Sequence, residues 1–313
     1  MMGALLAVSD LHIGHRGNRD VVESITPHSP DDWLIVAGDV GEKMADIVAT
    51  LQLLRERVAK LIWVPGNHEL WSLATDPVRL RGEDRYRHLV DLCRRLDITT
   101  PEDDFPVWPG GGTAAPAVVA PLFLLYDYSF LPAGARDRAE GLALAERHRA
   151  VAADEHLLDP HPYDDVAQWS AARVDYTVRR LATVDPKMPL VLVNHYPLRR
   201  EPTRMLLRSE FSMWCGTVRT EDWHRRYNVA CAVYGHLHIR RTDYFDGVRF
   251  EEVSLGYPRE WQRRGCPDPI LRQILPAPAR PPVTFGGGRR AVTDLHRAVT
   301  RLLPFRANRT PAT

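Results

Sequence analysis

The sequence predicts an α/β fold with a polar site where several strands end. Short apolar runs of strand length alternate with stretches whose apolar residues recur at helical spacing, an order typical of α/β layering. Five of those runs stop abruptly at acidic, amide or histidine side chains. With 313 residues and a hydrophobic fraction of 44%, the chain can bury the core of one large domain or two small ones.

The N-terminal third contains three predicted strands and two predicted helices. Leu5–Asp10 and Asp32–Val40 are apolar runs that stop at an acid, and Lys60–Glu69 is a third run that stops at Gly-Asn-His-Glu. Met44–Lys60 has apolar residues at helical spacing and a lysine at its end, where the helix dipole favours a cation. A second helix is predicted over Arg85–Leu96.

The middle of the chain continues the alternation of strands and helices. Ala117–Tyr126 is predicted as a buried strand, and helical stretches are predicted near Ala135–Leu158 and over Asp165–Ala182. Pro189–Tyr196 and Ala230–His238 are two further apolar runs, and both end in histidine-containing sequences. These runs extend the pattern of strands that stop at polar side chains.

The C-terminal part contains a predicted hairpin and a tail. The run RTDYFDGVRFEEVSL predicts two strands joined by a turn at Asp246-Gly247. Beyond the hairpin the composition becomes rich in Pro, Gly and Arg, so we expect one domain over residues 1–276 and a partly flexible tail over 277–313. A short helix is expected within the tail, over Ala291–Leu303.

Composition argues against several classes of function. The chain has 41 basic and 40 acidic residues, and its net charge of +1 gives no field that would attract nucleic acid or an anionic membrane, so neither partner is expected. No apolar run approaches the roughly 20 residues of a membrane span, and the N-terminus lacks the features of a signal peptide. The four cysteines show no disulfide or metal-site spacing, so we expect a cytoplasmic protein.

The polar strand ends predict a metal centre. They are Asp10-x-His12, Gly38-Asp39, Gly66-Asn67-His68-Glu69, Asn194-His195 and Gly235-His236-Leu237-His238. Strand ends of an α/β sheet share one edge, so these side chains are expected to converge. Carboxylate, amide and imidazole ligands without cysteine suit Mn, Fe or Zn. Two neighbouring ions need a bridge, and Asp39 can bind one ion with each carboxylate oxygen.

These motifs resemble those of the calcineurin-like metallophosphoesterases. The resemblance implies a four-layer α/β/β/α sandwich with a dinuclear centre at the strand ends. It implies two divalent or mixed-valence ions, Mn and/or Fe in the first place and Zn as an alternative. One ion would be bound by Asp10, His12, Asp39 and His238, and the second by Asp39, Asn67, His195 and His236.

The same resemblance implies a reaction. Two cations lower the pKa of a bridging water, so that hydroxide forms near neutral pH and attacks phosphorus in line. His68 would be the non-ligand histidine that protonates the departing oxygen. Its neighbour Glu69 is expected to cap or orient the loop rather than to take part in the chemistry.

Longer segments resemble a narrower group, the actinobacterial phosphopantetheinyl hydrolases. Among them are SPDDWLIVAGDV, IWVPGNHELW and DGVRFEEVSLGYPREW, and the resemblance extends from about Leu5 to Pro276. It implies a phosphodiesterase that cleaves the bond between 4′-phosphopantetheine and a serine of holo acyl carrier protein, giving the apo carrier protein. Acyl carrier protein is therefore the expected partner. The oligomeric state stays open, with a homodimer as one option.

Several residues are expected to bind this substrate. The candidates His15, Arg16, Tyr196, Arg240 and Arg241 all lie beside expected metal ligands. The arginines among them, with Arg199 and Arg200, are suited to an acidic carrier protein. The aromatic segment Phe211–Thr217, with Trp223, is a candidate wall for the pantetheine arm. The long and mostly helical stretch over about 70–188 is expected to be an insertion that forms a lid or wall.

Other functions share the same motifs. A phosphodiesterase or phosphatase acting on a nucleotide, a small phosphoester or a phosphoprotein would need the same ligands. A nuclease is disfavoured because the chain lacks an obvious basic nucleic-acid module. A catalytically idle scaffold is disfavoured because every expected ligand and His68 are present.

Overall fold

The computed structural model describes residues 3–111, 114–263 and 265–278 of the chain. Within these residues two β-sheets pack face to face, and helices cover the outer side of each sheet. Apart from residues 277 and 278, the predicted tail over 277–313 lies outside the described residues, and so does its expected helix.

The first sheet is built from strands near both ends of the described chain. Its strands are β1 (Leu5–Val8), β2 (Trp33–Ala37), β3 (Lys60–Val64), β4 (Ile98–Thr99) and β11 (Arg272–Leu275). They lie in the order β11-β1-β2-β3-β4. The four strands β1 to β4 are parallel, and β11 pairs antiparallel with β1.

The second sheet has six strands. They are β5 (Val107–Trp108), β6 (Ala117–Pro121), β7 (Leu190–Val193), β8 (Val229–Tyr234), β9 (Arg241–Phe245) and β10 (Val248–Glu252). Their order is β5-β6-β7-β8-β10-β9, with parallel pairing through the centre and antiparallel pairing at the edges with β5 and β9. The hairpin predicted around Asp246-Gly247 is confirmed as β9 and β10.

Nine α-helical segments lie in the described part of the chain. They are α1 (Arg16–Ser24), α2 (Met44–Arg55), α3 (Asn67–Leu70), α4 (Gly82–Arg95), α5 (Arg138–Arg147), α6 (Asp154–Leu157), α7 (Val166–Leu181), α8 (Trp223–Arg226) and α9 (Pro258–Trp261). Short 3₁₀ turns occupy Glu201–Met205, Ser209–Trp214 and Val218–Thr220. None of these helices is long and apolar enough to cross a membrane.

The alternation of side chains along each strand produces four layers. In β2, Leu34 belongs to the core shared with α2 and α4, whereas its neighbour Ile35 belongs to the core between the sheets. Val191 of β7 faces that same inter-sheet core, and the next residue, Leu192, packs with Val174 of α7 on the outer side. Both faces of both sheets are therefore buried, and the predicted α/β/β/α sandwich is confirmed.

The boundaries of several predicted elements differ from the observed ones. The helix predicted to reach Lys60 ends at Arg55, because Lys60 already begins β3. The helical stretch predicted near Ala135–Leu158 is two separate helices, α5 and α6. Helix α1 and strand β11 were not predicted. Helix α1 buries only Asn18 and Val22, so its apolar spacing gives a weak signal.

The stretch over about 70–188 does not form one helical insertion. It supplies β4 to the first sheet and β5 and β6 to the second, and its helices α4 and α7 contribute to the two outer layers. The expected lid or wall is thus not confirmed as a single unit. Of this stretch, only Trp71 and residues 151–154 line the cavity at the site described below.

The inter-sheet core predicts a large cost for truncating Ile35, which is fully buried in β2. We expect Ile35→Ala to lower the free energy of unfolding by about 2–5 kcal/mol, because the lost side chain leaves a cavity between two packed sheets. Val107→Ala, at a half-exposed position on edge strand β5, is the matched control and should change the free energy of unfolding by less than about 0.5 kcal/mol. Denaturant midpoints at constant slope measure both, and equal shifts would contradict the assignment of the core.

Candidate metal centre

The polar strand ends of both sheets meet at one place. The residues that the structure brings together there are Asp10, His12, Asp39, Asn67, His195, His236 and His238. They follow β1, β2 and β3 of the first sheet and β7 and β8 of the second. All are buried except His236 and His238, which are half-buried. The predicted convergence of these side chains is what the structure shows.

One half of the cluster contains Asp10, His12 and His238. The His238 Nε2 atom lies 3.0 Å from Asp10 Oδ1 and 3.1 Å from His12 Nε2. These ligand atoms are close enough to one another to surround a single ion. The geometry therefore offers two imidazole nitrogens and one carboxylate oxygen at a common point.

The other half contains Asp39, His195, His236 and Asn67. The His195 Nε2 atom lies 3.4 Å from Asp39 Oδ2, 3.2 Å from Asn67 Oδ1 and 3.2 Å from His236 Nδ1. The Asp39 Oδ2 atom is also 3.8 Å from His12 Nε2 in the first half. Asp39 thus joins the two halves.

The way in which Asp39 joins them differs from the expectation that each oxygen serves one ion. The Oδ2 atom faces both His12 and His195. The Oδ1 atom instead accepts a hydrogen bond of 3.0 Å from the backbone N–H of His68. The backbone bond fixes the rotation of the carboxylate, so that one oxygen alone points between the two halves.

The donor set fits cations rather than a network of hydrogen bonds. His195 Nδ1 is 2.9 Å from the carbonyl oxygen of Ala37 and donates to it, which leaves a lone pair on Nε2. The amide nitrogen of Asn67 donates to Asp154, so its oxygen faces that same lone pair. The His195 Nε2, Asn67 Oδ1 and Asp39 Oδ2 atoms therefore face one point, an arrangement that a positive ion satisfies.

The pKa values of the four clustered histidines are shifted in opposite directions. Burial lowers the pKa of His195, but the Asp39 carboxylate more than offsets this and raises the pKa to about 10. Burial and the charge of His195 lower the pKa of His236 to about 3. In the other half, Glu260 and Asp10 raise the pKa of His238 despite its burial, whereas burial lowers the pKa of His12. Each half therefore pairs one histidine of raised pKa with one histidine of lowered pKa.

Strained backbone holds most of these ligands in position. Asp10, His12, Asp39, His236 and His238 have φ angles between 41° and 69°, in the left-handed region that residues other than glycine rarely adopt. Each such residue costs on the order of 1–3 kcal/mol, which the surrounding structure must offset. The strain is confined to the loops that follow the strands, and it turns consecutive side chains toward the same point.

Two glycines are required because ligand side chains pass directly over them. A Cβ atom on Gly235 would lie 2.2 Å from Asp10 Oδ2, and one on Gly66 would lie 2.1 Å from Asp39 Oδ1. For these two positions the reason is lack of space rather than an unusual φ angle.

Glu69 is a buried carboxylate that holds two ligand loops together. It accepts hydrogen bonds from the backbone N–H groups of Asp39 at 2.9 Å, Val40 at 2.7 Å and Gly66 at 2.8 Å. All of its contacts are with loop backbone, which agrees with the orienting role predicted from the sequence. Loss of this carboxylate would leave buried N–H groups without an acceptor.

His68 lies beside the two halves and is fixed by its neighbours. Its Nδ1 atom is 2.8 Å from Glu42 Oε1, and its ring stacks on Trp71 at a centroid distance of 3.7 Å. The Nε2 atom points toward Asp39 Oδ2 at 3.7 Å and the Tyr257 hydroxyl at 3.4 Å. Burial lowers the pKa of His68, but Asp39 and Glu42 outweigh it and raise the pKa above its usual value.

The sequence did not reveal the partners that orient the ligands. Glu260 lies 2.8 Å from His238 Nδ1, and Asp154 accepts from the Asn67 amide at 2.9 Å. The Ser254 hydroxyl donates to Asp10 at 2.6 Å. These residues come from α9, α6 and the segment after β10, and no strand-end motif marks them. Such outer partners fix the rotation and basicity of the ligands.

The predicted substrate-binding residues are placed in different ways. His15 is exposed at the start of α1 and contacts the edge of Tyr257 at a centroid distance of 5.2 Å, and Arg16 is exposed next to it. The ring of Tyr196 lies 4.6 Å from that of His236, but its hydroxyl is buried and has no hydrogen-bond partner among the described residues. Tyr196 therefore packs against the ligands from behind.

Two of the predicted arginines, Arg240 and Arg241, bind other groups of the fold. Arg240 donates to the backbone carbonyls of Val253 at 3.0 Å and Ile270 at 2.8 Å, so it fastens the segment before β11. Arg241 pairs with Asp243 on the same strand. Neither side chain lines the cavity beside the cluster.

A cavity of about 150 Å³ opens beside the ligand cluster. Asp39, Asn67 and His68 line its buried end. Its other wall is mostly apolar, formed chiefly by the half-exposed Val151, Ala152, Leu206 and Phe211 and the buried Trp214. The half-exposed residues mark the mouth of the cavity, so a molecule that reaches the cluster passes along this wall.

The aromatic segment predicted as a wall is therefore in place, with one correction. Phe211, Trp214 and Cys215 line the cavity, whereas Trp223 does not. Trp223 begins α8 and is buried in the outer core of the second sheet. Arg259, which the sequence analysis did not single out, lies at the opposite side of the cavity, 4.5 Å from the centroid of the Tyr257 ring.

Comparison with known proteins identifies a family whose model matches the chain and a relative that is similar in both sequence and structure. The family model described as calcineurin-like phosphoesterase matches residues 4–240. The chain is 56% identical over 286 residues to the [acyl-carrier-protein] phosphodiesterase PptH of Mycobacterium tuberculosis, covering 90% of this chain and 87% of that protein. The crystal structure of phosphopantetheinyl hydrolase (PptH) from the same organism superposes with a TM-score of 0.87 at 55% identity, over 90% of this chain and 99% of that one.

Asp39 gives the most direct test of the centre, because its Oδ2 atom faces both halves. We expect Asp39→Asn to weaken metal binding by more than the roughly 10–100-fold that loss of an outer partner costs. The measurement is metal content per chain by plasma mass spectrometry after equilibration with Mn²⁺. Asp104→Asn, on an exposed loop between β4 and β5, is the control and should keep the wild-type content. Equal metal content in the two variants would contradict the assignment.

Proposed function

The chain belongs to the calcineurin-like phosphoesterase family, and from that premise we propose that it is a metal-dependent phosphodiesterase of holo acyl carrier protein. Water cleaves the bond between phosphorus and the serine oxygen. The serine oxygen leaves with a proton, which gives apo carrier protein, and 4′-phosphopantetheine leaves as a monoester. The observation that carries the proposal is 56% identity over nine-tenths of the chain to a phosphodiesterase that acts on acyl carrier protein.

We assign the seven clustered side chains to two metal ions. Asp10, His12 and His238 would hold one ion, and Asn67, His195 and His236 the other, with Asp39 shared between them. The ions would be Mn and/or Fe, with Zn as an alternative, since imidazole and oxygen ligands suit all three. When bound, they would neutralise charge on the phosphoryl oxygens and activate a water molecule.

His68 supplies the proton for the departing serine oxygen. Glu42 accepts from Nδ1 at 2.8 Å, so the proton to be transferred sits on Nε2. This atom faces Asp39 and the Tyr257 hydroxyl and lies in the lining of the cavity. The stack on Trp71 prevents the ring from turning away. The arrangement is that of a positioned general acid.

The apolar wall suits the substrate arm. A pantetheine arm carries methyl and methylene groups together with amides, and it must lie beside the phosphodiester at the metal centre. Leu206, Phe211 and Trp214 offer apolar surface at that position. The indole N–H of Trp214 donates a 2.7 Å hydrogen bond to Glu155, which fixes the position of the ring in the cavity lining. Contact with this wall would favour a pantetheine diester over a small phosphoester.

The cytoplasm is the location that we propose for this reaction. All four cysteines are free thiols, and three of them are buried. A chain that keeps unpaired thiols is typical of a reducing compartment.

The reaction is tested by intact mass of a holo acyl carrier protein incubated with the enzyme and Mn²⁺. We expect wild type to convert it to the apo mass and His68→Asn to lower kcat by about 10²–10⁴-fold, because general-acid catalysis is lost. His28→Asn, at an exposed histidine in the loop after α1, is the matched control and should act like wild type. A holo protein that survives wild-type enzyme, while a chromogenic diester is cleaved, would overturn the substrate assignment and leave the phosphoesterase.

The wall is tested with Trp214→Ala and Trp214→Phe. The measured quantity is kcat/KM for holo carrier protein divided by kcat/KM for a small diester. We expect Trp214→Ala to lower this ratio about ten-fold, because a loss of about 1.4 kcal/mol of apolar contact corresponds to a factor of ten. Trp214→Phe keeps an aromatic face and should recover most of the ratio. A ratio that is unchanged in Trp214→Ala would show that the arm lies elsewhere.

A further inference from the structure

We propose that two segments at the mouth of the cavity, residues 147–153 and 203–209, form the surface on which an acidic carrier protein docks. We call it the docking surface. The inference rests on the proposed function, because the bond to be broken joins the arm directly to a serine on the carrier protein. The carrier protein must then cover the mouth of the cavity while its phosphodiester occupies the metal centre.

The two segments are joined to each other and to the cavity. Val151, Ala152 and Leu206 belong to both the docking surface and the cavity wall. Arg208 of the second segment donates to the backbone carbonyl of His148 in the first, and His148 pairs with Glu210. These contacts make one continuous surface from segments that are about sixty residues apart in sequence.

The docking surface exposes apolar side chains that a folded protein would otherwise bury. Met205 is 51% exposed and Leu207 is 62% exposed, and Leu207 is the most exposed of the large hydrophobic side chains in the described part of the chain. Leu206 between them turns into the cavity. Adjacent exposed apolar residues at the edge of a substrate cavity are typical of a protein contact.

The acidic and basic side chains within the two segments are all of one sign, and the acids Glu201 and Glu210 lie just outside the second segment. The docking surface contains Arg147, Arg149, Arg204 and Arg208, and neither segment contains an acidic residue. Arg147, Arg149 and Arg204 are exposed, and none of the four forms an ion pair with another described residue. By contrast, Arg199 pairs with Glu201 and Arg241 with Asp243, so those arginines are already neutralised.

These features select an acidic partner with some apolar surface. Unpaired arginines attract and orient a negatively charged protein over distances of about a Debye length, roughly 8–10 Å in salt. The exposed Met205 and Leu207 then add non-polar contact. A carrier protein that presents acidic side chains around the modified serine would satisfy both requirements at once. A small phosphodiester bound at the metal centre would have no protein surface to meet either requirement.

The test is the double variant Arg149→Glu/Arg204→Glu, with KM and kcat measured on holo carrier protein and on a small chromogenic diester. We expect KM for the carrier protein to rise about ten-fold or more and the reaction with the small diester to stay at the wild-type rate, because charges at a rim act on encounter rather than on chemistry. Added salt should raise the wild-type KM for the carrier protein and should affect the variant less.

The matched control is Arg95→Glu/Arg179→Glu, which makes the same change in net charge. These exposed arginines lie at the ends of α4 and α7, which lead to the amino ends of β4 and β7, the edge opposite to the metal centre. We expect this control to keep the wild-type KM. A second variant, Met205→Ser/Leu207→Ser, removes the apolar contact without disturbing the core and should also raise KM for the carrier protein alone.

The outcomes separate the docking surface from the function itself. Suppose that wild type converts holo carrier protein. If the first double variant then keeps the wild-type KM, or if the control variant raises KM equally, the proposed docking surface is contradicted and the proposed function is retained. If Arg16→Glu, on the other side of the site, raises KM while the double variant does not, the carrier protein docks on α1 instead. If wild type leaves holo carrier protein intact, the proposed function fails and the docking surface fails with it.

Discussion

The buried carboxylates of Asp10 and Asp39 impose the constraint on which the rest of the molecule depends. They are 0% and 2% exposed, and ionised carboxylates in such places are costly unless positive charge and hydrogen bonds surround them. Backbone N–H groups meet part of the requirement: the N–H of His236 donates a hydrogen bond to Asp10, and the N–H of His68 donates one to Asp39. Burial raises the pKa of both carboxyl groups, but His238 outweighs burial for Asp10 and His195 outweighs it for Asp39, so both pKa values are lowered. Metal ions would supply positive charge at the same place when bound.

This constraint ties the packing of the sheets to the site. Ser9, just after β1 of the first sheet, forms a parallel bridge with Ser254, just after β10 of the second. The hydroxyls of both serines donate to Asp10 Oδ2, at 2.5 and 2.6 Å, and the backbone N–H of Gly256 donates to the Asp10 carbonyl at 3.1 Å. The sheets are thus joined at the edge where the ligands lie. A shift of one sheet against the other would move Asp10 away from His238.

How much of this could be predicted from the sequence depended on how local each signal is. The convergence of the seven side chains was predictable because they follow five apolar strands, and the α/β pattern places such strand ends at one edge. Asp154 and Glu260 were not predictable, because only the folded chain brings α6 and α9 to the ligands. Arg240 was misplaced for the converse reason: it follows the ligand His238 in sequence, but its side chain is directed to backbone carbonyls before β11.

The same distinction separates the chemistry of the site from its choice of substrate. The metal ligands and His68 sit on strand ends and their adjoining turns, which every sandwich of this kind must place at the same edge. The apolar wall and the docking surface come from connecting segments around Val151 and Leu206, whose course the sheets do not dictate. The ligands alone therefore imply hydrolysis of a phosphoester and leave the ester open. The surfaces around the site restrict the choice of ester. An apolar wall begins at the metal centre and continues outward to the exposed Met205 and Leu207 and to arginines without ion pairs. This order of surfaces matches an arm attached to an acidic protein.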